Sequence, residues 1–182
     1  YDSLNNCMWI GSYSTGLHSY NFTNSSLNNI QRNDADTNAI HASLINDLAL
    51  NRNNLWVATV EGGLAKYSIT NEAKKITNYD FKNGLPDNTI YSVAVAEGAV
   101  YFGTGKGIGM IEKDGTLKTF FNTQSGLPFS TFQQSIVTLP NGNLGLTWGA
   151  GGLPAGGAMP AGWYWASPGS GPDCTDGSNP DT

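Results

Sequence analysis

Apolar and polar residues alternate along most of the chain in short runs, which is the pattern of half-buried β-strands. The clearest stretch predicts a first strand at 44–50, a polar turn at 51–54 and a second strand at 55–60. A third strand follows at 64–69 and an outer fourth strand at 76–81. These residues therefore predict four consecutive strands of one sheet.

The same order recurs along the chain. The third period has strands at 89–96, 99–104, 108–112 and 117–121, the first has its second to fourth strands between Met8 and about Gln31, and the fourth has strands at 131–139 and 144–148. The equivalent positions Trp9, Trp56, Tyr101 and Gly145 are 47, 45 and 44 residues apart. A lone four-stranded blade cannot bury both faces, so a period of this length predicts stacked blades. We expect an all-β β-propeller of about four repeats of 44–47 residues.

The predicted blades span residues 1–39, 40–83, 84–126 and 127–148, the last with part of the C-terminal segment. Four blades either close on themselves or form an arc of a larger ring. We favour the arc because Tyr1, Asp2 and Ser3 align with residues 48–50, inside a strand. Residues 149–182 are rich in Gly and Pro and predict an irregular C-terminal segment, with Trp163, Tyr164 and Trp165 docked on the body.

The composition and charge of the chain limit the partners that it can be expected to bind. Charged residues are only 13% of the chain and the net charge is -5, with the basic residues scattered apart from Lys74 and Lys75. Nucleic acid is therefore excluded as an expected partner, because phosphate binding needs clustered positive charge. No apolar run is long enough to insert into a membrane. Abundant neutral polar residues favour a periplasmic or extracellular (cell-surface) location.

The period contains a repeated sequence motif. It begins with Gly-Leu-Pro, continues through a strand to Leu-Trp-(Ile/Val)-(Gly/Ala)-(Ser/Thr), and ends with Gly-Leu-x-x-Tyr. Its best copies lie at 83–93, 55–67 and 8–20. This motif resembles the two-component-regulator propeller repeat, over about residues 1–148. The resemblance implies a periplasmic sensory propeller of the kind found in bacterial hybrid histidine kinases, and thus a recognition module. Gly145 and the segment after residue 148 depart from the family pattern.

Candidate ligand-binding residues lie in the turns between blades, because such turns recur at one edge of a propeller. They are Asn83, Asp87 and Asn88 in one turn and Ser125 and Phe129 in the next. Trp163, Tyr164 and Trp165 do not follow the repeat and form either an aromatic platform for a sugar or peptide or a docked part of the core.

The remaining candidate residues are a pair of cysteines, three glycosylation candidates and two histidines. Cys7 and Cys174 are either two separate thiols or a disulfide between the first and last blades. Ser3, Asn21 and Asn24 match short glycosylation motifs. No metal-ligand or catalytic constellation stands out around His18 or His41, so we expect no cofactor, no metal and no enzyme activity.

Three functions remain open. The leading one is non-catalytic recognition of a glycan, peptide or protein. The second is a structural or secretion-associated propeller that self-assembles. A glycan-active lyase or hydrolase is the least favoured.

Overall fold

The structure is a computed structural model that describes residues 1–33, 35–36, 38–70, 75–121, 124, 136–138, 144–147 and 163–166, without the side chains of 119–121, 146–147 and 163–166. These residues form four β-sheets and one short 3-10 helix, and no α-helix is found among them. The chain divides into two compact units, Tyr1–Ile90 and Tyr91–Thr182. The predicted all-β class is confirmed.

The first unit contains two antiparallel sheets built from consecutive strands. The first sheet comprises β1 (Cys7–Gly11), β2 (Leu17–Asn21) and β3 (Ser26–Ile30). The second sheet comprises β4 (Ile45–Asn51), β5 (Asn54–Thr59), β6 (Leu64–Ser68) and β7 (Ile76–Tyr79), in that spatial order. The strands of the second sheet thus begin and end within two residues of the predicted bounds 44–50, 55–60, 64–69 and 76–81.

Two details differ from the sequence-based expectation. The fourth strand of the second sheet ends at Tyr79 rather than at residue 81, because the Asp80 carboxylate accepts hydrogen bonds from the Lys82 and Asn83 amides and caps a 3-10 helix at Phe81–Asn83. The first residues also add no strand to β1. Asp2 makes only an isolated bridge to Cys7, because its carboxylate accepts the Leu4 and Asn5 amides and turns the chain back.

The two sheets of the first unit pack on one another through apolar side chains. Their shared core is formed by Leu17, Ile40, Ile45, Leu55, Val57, Ala65, Tyr67, Ile69 and Ile76, with Trp9, Ile30 and Leu48 against it. The Trp9 and Tyr67 rings meet edge to face with centroids 5.3 Å apart. Gly11 permits the close approach, since a Cβ there would lie 2.5 Å from Ile45 Cγ2.

The second unit contains the other two sheets. The third sheet comprises β8 (Ile90–Ala96), which begins at the last residue of the first unit, β9 (Ala99–Thr104), β10 (Gly107–Ile111) and β11 (Leu117–Phe121). The fourth sheet comprises β12 (Ile136–Thr138), β13 (Leu144–Thr147) and β14 (Trp163–Ala166). The Thr138 hydroxyl donates to the Val95 carbonyl at 2.7 Å, linking β12 to β8.

The strand β14 was not predicted. It pairs with β13 in parallel, with Gly145 opposite Tyr164. Thus the Trp-Tyr-Trp triplet is part of a sheet, whereas its Gly/Pro-rich surroundings suggested irregular chain. Within the part of the chain that the structure describes, no helix has the length and apolar character to span a bilayer.

Candidate functional site

The strand register brings several turns of the first unit to one end of its sheets. Gly11 pairs with Leu17, and Leu17 with Ile30, so the turn 12–16 and the chain after β3 lie at the same end. In the second sheet Ala58 pairs with Leu64 and Leu64 with Tyr79, so the turn 60–63 and the loop 80–88 also lie at one end. These turns are the natural place for a binding surface, because loops on a rigid sheet can vary without cost to the core.

Backbone hydrogen bonds link these turns to one another. The Gly16 amide donates to the Ser43 carbonyl at 3.0 Å, and the Val60 amide donates to the neighbouring Leu44 carbonyl at 3.1 Å. The Gly63 amide then donates to the Asn88 carbonyl at 2.8 Å. We call residues 12–16, 60–63 and 80–88 the turn surface. Backbone hydrogen bonds therefore connect the turn 60–63 to the loop 80–88, and they connect the turns 12–16 and 60–63 to residues 43–44.

The loop 80–88 is braced internally by its own polar side chains. Asn88 Oδ1 accepts from the Phe81 amide at 2.8 Å, and Asp87 Oδ1 accepts from the Thr89 amide at 3.0 Å. Leu85 is 2% exposed and anchors the loop to the core. Thus Asp87 and Asn88, which the sequence suggested as ligand-binding residues, use a side-chain oxygen to hold the loop.

A buried threonine fixes the turn of the second sheet. The Thr59 hydroxyl donates to the Gly63 carbonyl at 2.7 Å, away from solvent. Thr104 makes the same bond to Gly107 at 2.9 Å in the third sheet. In these two copies of the repeated motif, the Ser/Thr position therefore closes the hairpin that carries the turn.

The turn surface exposes two aromatic rings and a mixture of polar groups. Tyr13 is 78% exposed and Phe81 is 62% exposed. Glu61 is exposed in the turn 60–63, and Lys82 and Asn83 are exposed in the loop 80–88. Sequence reasoning identified Asn83 but missed Tyr13 and Phe81. Tyr13 lies in the turn between β1 and β2, where no site was predicted, and Phe81 was predicted to end a strand.

The remaining candidate ligand-binding residues are not brought into this surface by the described residues. Ser125 and Phe129 lie outside the part of the chain that the structure describes. Trp163, Tyr164 and Trp165 lie in β14, where only the backbone is described. Their role as an aromatic platform stays a prediction.

The candidate modification residues lie at the opposite end of the first sheet. Ser3 is exposed in the turn before β1, and Asn24 is exposed in the turn after β2. Asn21 is half-buried, and its Oδ1 accepts from the Thr23 amide at 2.8 Å. Cys7 is buried, and its Sγ lies 3.3 Å from the Asn5 carbonyl oxygen. Cys174 lies outside the described residues, so the disulfide stays a prediction.

The two histidines lie next to uncharged hydrogen-bonding groups. His18 Nε2 lies 2.9 Å from the Thr15 hydroxyl, and His41 Nε2 lies 3.4 Å from the Asp36 carbonyl. Burial raises the pKa of Tyr67 and of Tyr79. Among the described residues no three His, Cys, Asp or Glu side chains are grouped to hold a metal ion.

Comparison with known proteins supports the fold. No family model and no curated protein matches the chain. Among solved structures, the extracellular domain assigned to the hybrid two-component system BT3049 of B. thetaiotaomicron is similar, with a TM-score of 0.65 and 24% identity over 79% of this chain. The corresponding domain of BT4673 from the same organism gives a TM-score of 0.55 and 20% identity over 79% of this chain. This chain spans 19% and 18% of those two chains.

Proposed function

We propose that this chain is a non-catalytic, extracytoplasmic recognition module whose consecutive sheets are blades of a β-propeller. The repeat of about 45 residues supports the propeller, because sheets that follow one another at this period stack into blades. The likeness in fold to extracellular domains of two-component systems supports a sensory role and an extracellular location.

The observation that carries the proposal is the exposure of Tyr13 and Phe81 on braced turns. Large rings held in water offer broad contact area at low entropic cost to a ligand, and such residues dominate binding energy where they are buried on association. Glu61, Lys82 and Asn83 add a carboxylate, an ammonium group and an amide at the same end. This mixture suits a glycan or a peptide.

The bracing of the loop also supports a binding role. Asp80, Asn88 and Leu85 hold the loop 80–88 in one conformation, so a ligand would not have to order it. A preorganised surface retains more of its contact energy as affinity. The turn surface is thus a ready-made platform rather than a mobile loop.

The proposal is tested by screening the protein on glycan and peptide arrays and titrating each array compound that binds. We expect Phe81→Ala and Tyr13→Ala each to weaken binding about tenfold or more, as for aromatic anchors at other interfaces. Phe22→Ala is the matched control, because Phe22 is 45% exposed at the opposite end of the first sheet and should leave binding unchanged. Binding that survives both turn variants, or is lost with Phe22→Ala, would contradict the assignment of the turn surface.

A further inference from the structure

The loop 80–88 contains an Asn-Gly step, Asn83–Gly84, in which both residues are exposed. Glycine has no Cβ, so the side chain of the preceding residue can approach its amide nitrogen closely. The other asparagine of the loop, Asn88, precedes Thr89, whose branched side chain crowds that approach. Asn83 is therefore the asparagine of this loop whose side-chain carbon the next amide nitrogen attacks most readily.

From this step and its surroundings we propose that Asn83 is a site of spontaneous deamidation and that the Asp80 side chain controls its rate. The Gly84 nitrogen loses its proton and bonds to the Asn83 Cγ atom, the bond from Cγ to Nδ2 breaks, and ammonia leaves with a proton. Water then opens the resulting cyclic imide. Opening at Cγ gives an aspartate, whereas opening at the main-chain carbonyl gives an isoaspartate, in which the main chain runs through Cβ and Cγ. Water is the only co-reactant.

The folded loop opposes this reaction. Asn83 is the last residue of the 3-10 helix, in which ψ is about −20 to −30°. That backbone angle keeps the Asn83 Cγ atom away from the Gly84 nitrogen. The Gly84 amide also donates to the Phe81 carbonyl, at 3.3 Å. The reaction thus requires the 3-10 helix to open.

The Asp80 carboxylate holds this helix closed. Its Oδ1 accepts from the Lys82 amide at 2.8 Å and from the Asn83 amide at 3.2 Å. The helix is nevertheless weakly anchored, because its residues are exposed and the Gly84 bond is long for an N–H···O pair. Leu85 is 2% exposed and can stay in the core while the helix opens. Such an opening costs far less free energy than global unfolding, so the fold protects Asn83 only in part.

Both products change the turn surface. Each places a carboxylate at position 83, two residues after the exposed ring of Phe81. Isoaspartate also adds one main-chain atom before Gly84, although the Leu85 amide must still reach the Asp80 carbonyl at 3.1 Å. That product therefore displaces the bonds that brace the loop. The inference does not depend on whether the turn surface binds a ligand.

The first test measures the conversion of Asn83 by peptide mapping with mass spectrometry. The full chain is kept in mildly alkaline buffer, because the attack needs a deprotonated Gly84 nitrogen. We expect Asn83 to convert in the folded chain about tenfold more slowly than in the same protein unfolded in urea. Asp80→Ala should bring the folded-state rate to within about threefold of the unfolded rate, because the helix loses its cap. Asn88 should stay unconverted over the same period.

Asp87→Ala is the matched control for Asp80→Ala. Asp87 belongs to the same loop, but its Oδ1 accepts from the Thr89 amide at 3.0 Å and not from the helix. Removing this carboxylate leaves the opening of the helix unaffected. The variant should therefore change the rate at Asn83 by less than about twofold.

A second measurement compares the Tm of the products after separation by ion exchange. The isoaspartate form should melt about 3 °C below the unmodified chain, because the bonds that brace the loop are displaced. Asn83→Asp supplies the negative charge without the added main-chain atom. That variant should stay within about 1 °C of the native Tm.

Several results would overturn the proposal. One is an Asn83 that stays unmodified in the folded chain while it converts fully in urea, and another is an Asn83 that converts equally fast in both. Equal rates in Asp80→Ala and Asp87→Ala would show that the cap does not control the reaction. An isoaspartate form that melts at the native Tm would contradict the displacement of the bracing bonds.

Discussion

The first and second sheets are built from the same repeat, yet they differ in the number of strands and in the burial of equivalent residues. The second sheet has four strands and buries Leu55 and Val57 under its neighbour. The first sheet has three strands and leaves Met8 and Ile10 more than two-fifths exposed. The comparison teaches that the repeat specifies which residues are available for burial, and that a neighbouring sheet decides whether they are buried.

The largest expected difference comes from a charge placed at one equivalent position in each sheet. Val57→Asp should lower the free energy of unfolding by about 4 kcal/mol or more, because Val57 is 0% exposed and the carboxylate would have no partner. Ile10→Asp, at a 41% exposed position, should cost less than about 1 kcal/mol. Chemical denaturation of both variants measures the difference. Equal losses of unfolding free energy in the two variants would contradict the difference in burial between the two sheets.

The next effect concerns Gly63, the glycine just before the third strand of the second sheet. Gly63 has φ +79°, and an added Cβ would collide with the Tyr79 carbonyl oxygen. Gly63→Ala should therefore cost about 2–4 kcal/mol. Gly98→Ala is the control, because Gly98 has φ +85° but would meet only the flexible Lys113 side chain, and it should cost about 1 kcal/mol. Thermal unfolding of the two variants should show the larger Tm loss for Gly63→Ala, and the reverse order would contradict the structure.

A smaller effect is expected from the hydroxyl that closes the turn 60–63. Thr59→Val removes the buried hydroxyl bond to the Gly63 carbonyl, which keeps the Thr59 amide as a donor, so it should cost about 1 kcal/mol. Thr15 lies in the corresponding turn of the first sheet, where its bonds to Ser12 and His18 are exposed. Thr15→Val should cost less than about 0.5 kcal/mol by urea denaturation. A larger loss for Thr15→Val would argue against the buried role of Thr59.

The smallest expected effect is the dependence of folding stability on pH that results from the ionisation of Tyr67. Trp9 packs on this residue. Burial raises the pKa of Tyr67 above 10.0 in the folded state, so the folded protein holds the phenol proton more tightly than the unfolded chain. The resulting stability is complete below about pH 10 and is lost as the pH rises through the folded pKa. Tyr67→Phe should flatten the decline of stability between pH 9 and 11, measured by urea denaturation. A decline as steep as in the native chain would show that Tyr67 does not contribute to it.

The positions of β5 and β6 were predictable because turn residues separate their apolar runs. β5 and β6 were expected at 55–60 and 64–69 and are observed at Asn54–Thr59 and Leu64–Ser68. The 3-10 helix after β7 was not predicted, since it depends on the Asp80 side chain capping two amides rather than on apolar spacing. The parallel pairing of β14 with β13 could also not be predicted from the sequence, because it joins segments separated by a Gly/Pro-rich stretch.

The candidate site was predicted only in part. The turn near Asn83 was expected at a sheet edge because Gly and Pro interrupt the strand pattern there. The exposure of Phe81 and the bracing roles of Asp87 and Asn88 depend on hydrogen bonds across the folded loop, which spacing does not encode. Tyr13 carried a detectable signal, an aromatic residue within a short polar hairpin turn.

Amide hydrogen exchange in β1 and β5 tests the central comparison most directly. The two strands occupy the same place in the repeat, but β1 lies at the edge of its sheet and β5 lies between β4 and β6. Mass spectrometry of peptides covering residues 7–11 and 54–59 should show exchange about a hundredfold or more slower in β5, since its opening requires disruption of the core. Equal protection of the two strands in the monomeric chain would contradict the difference in burial between the first and second sheets.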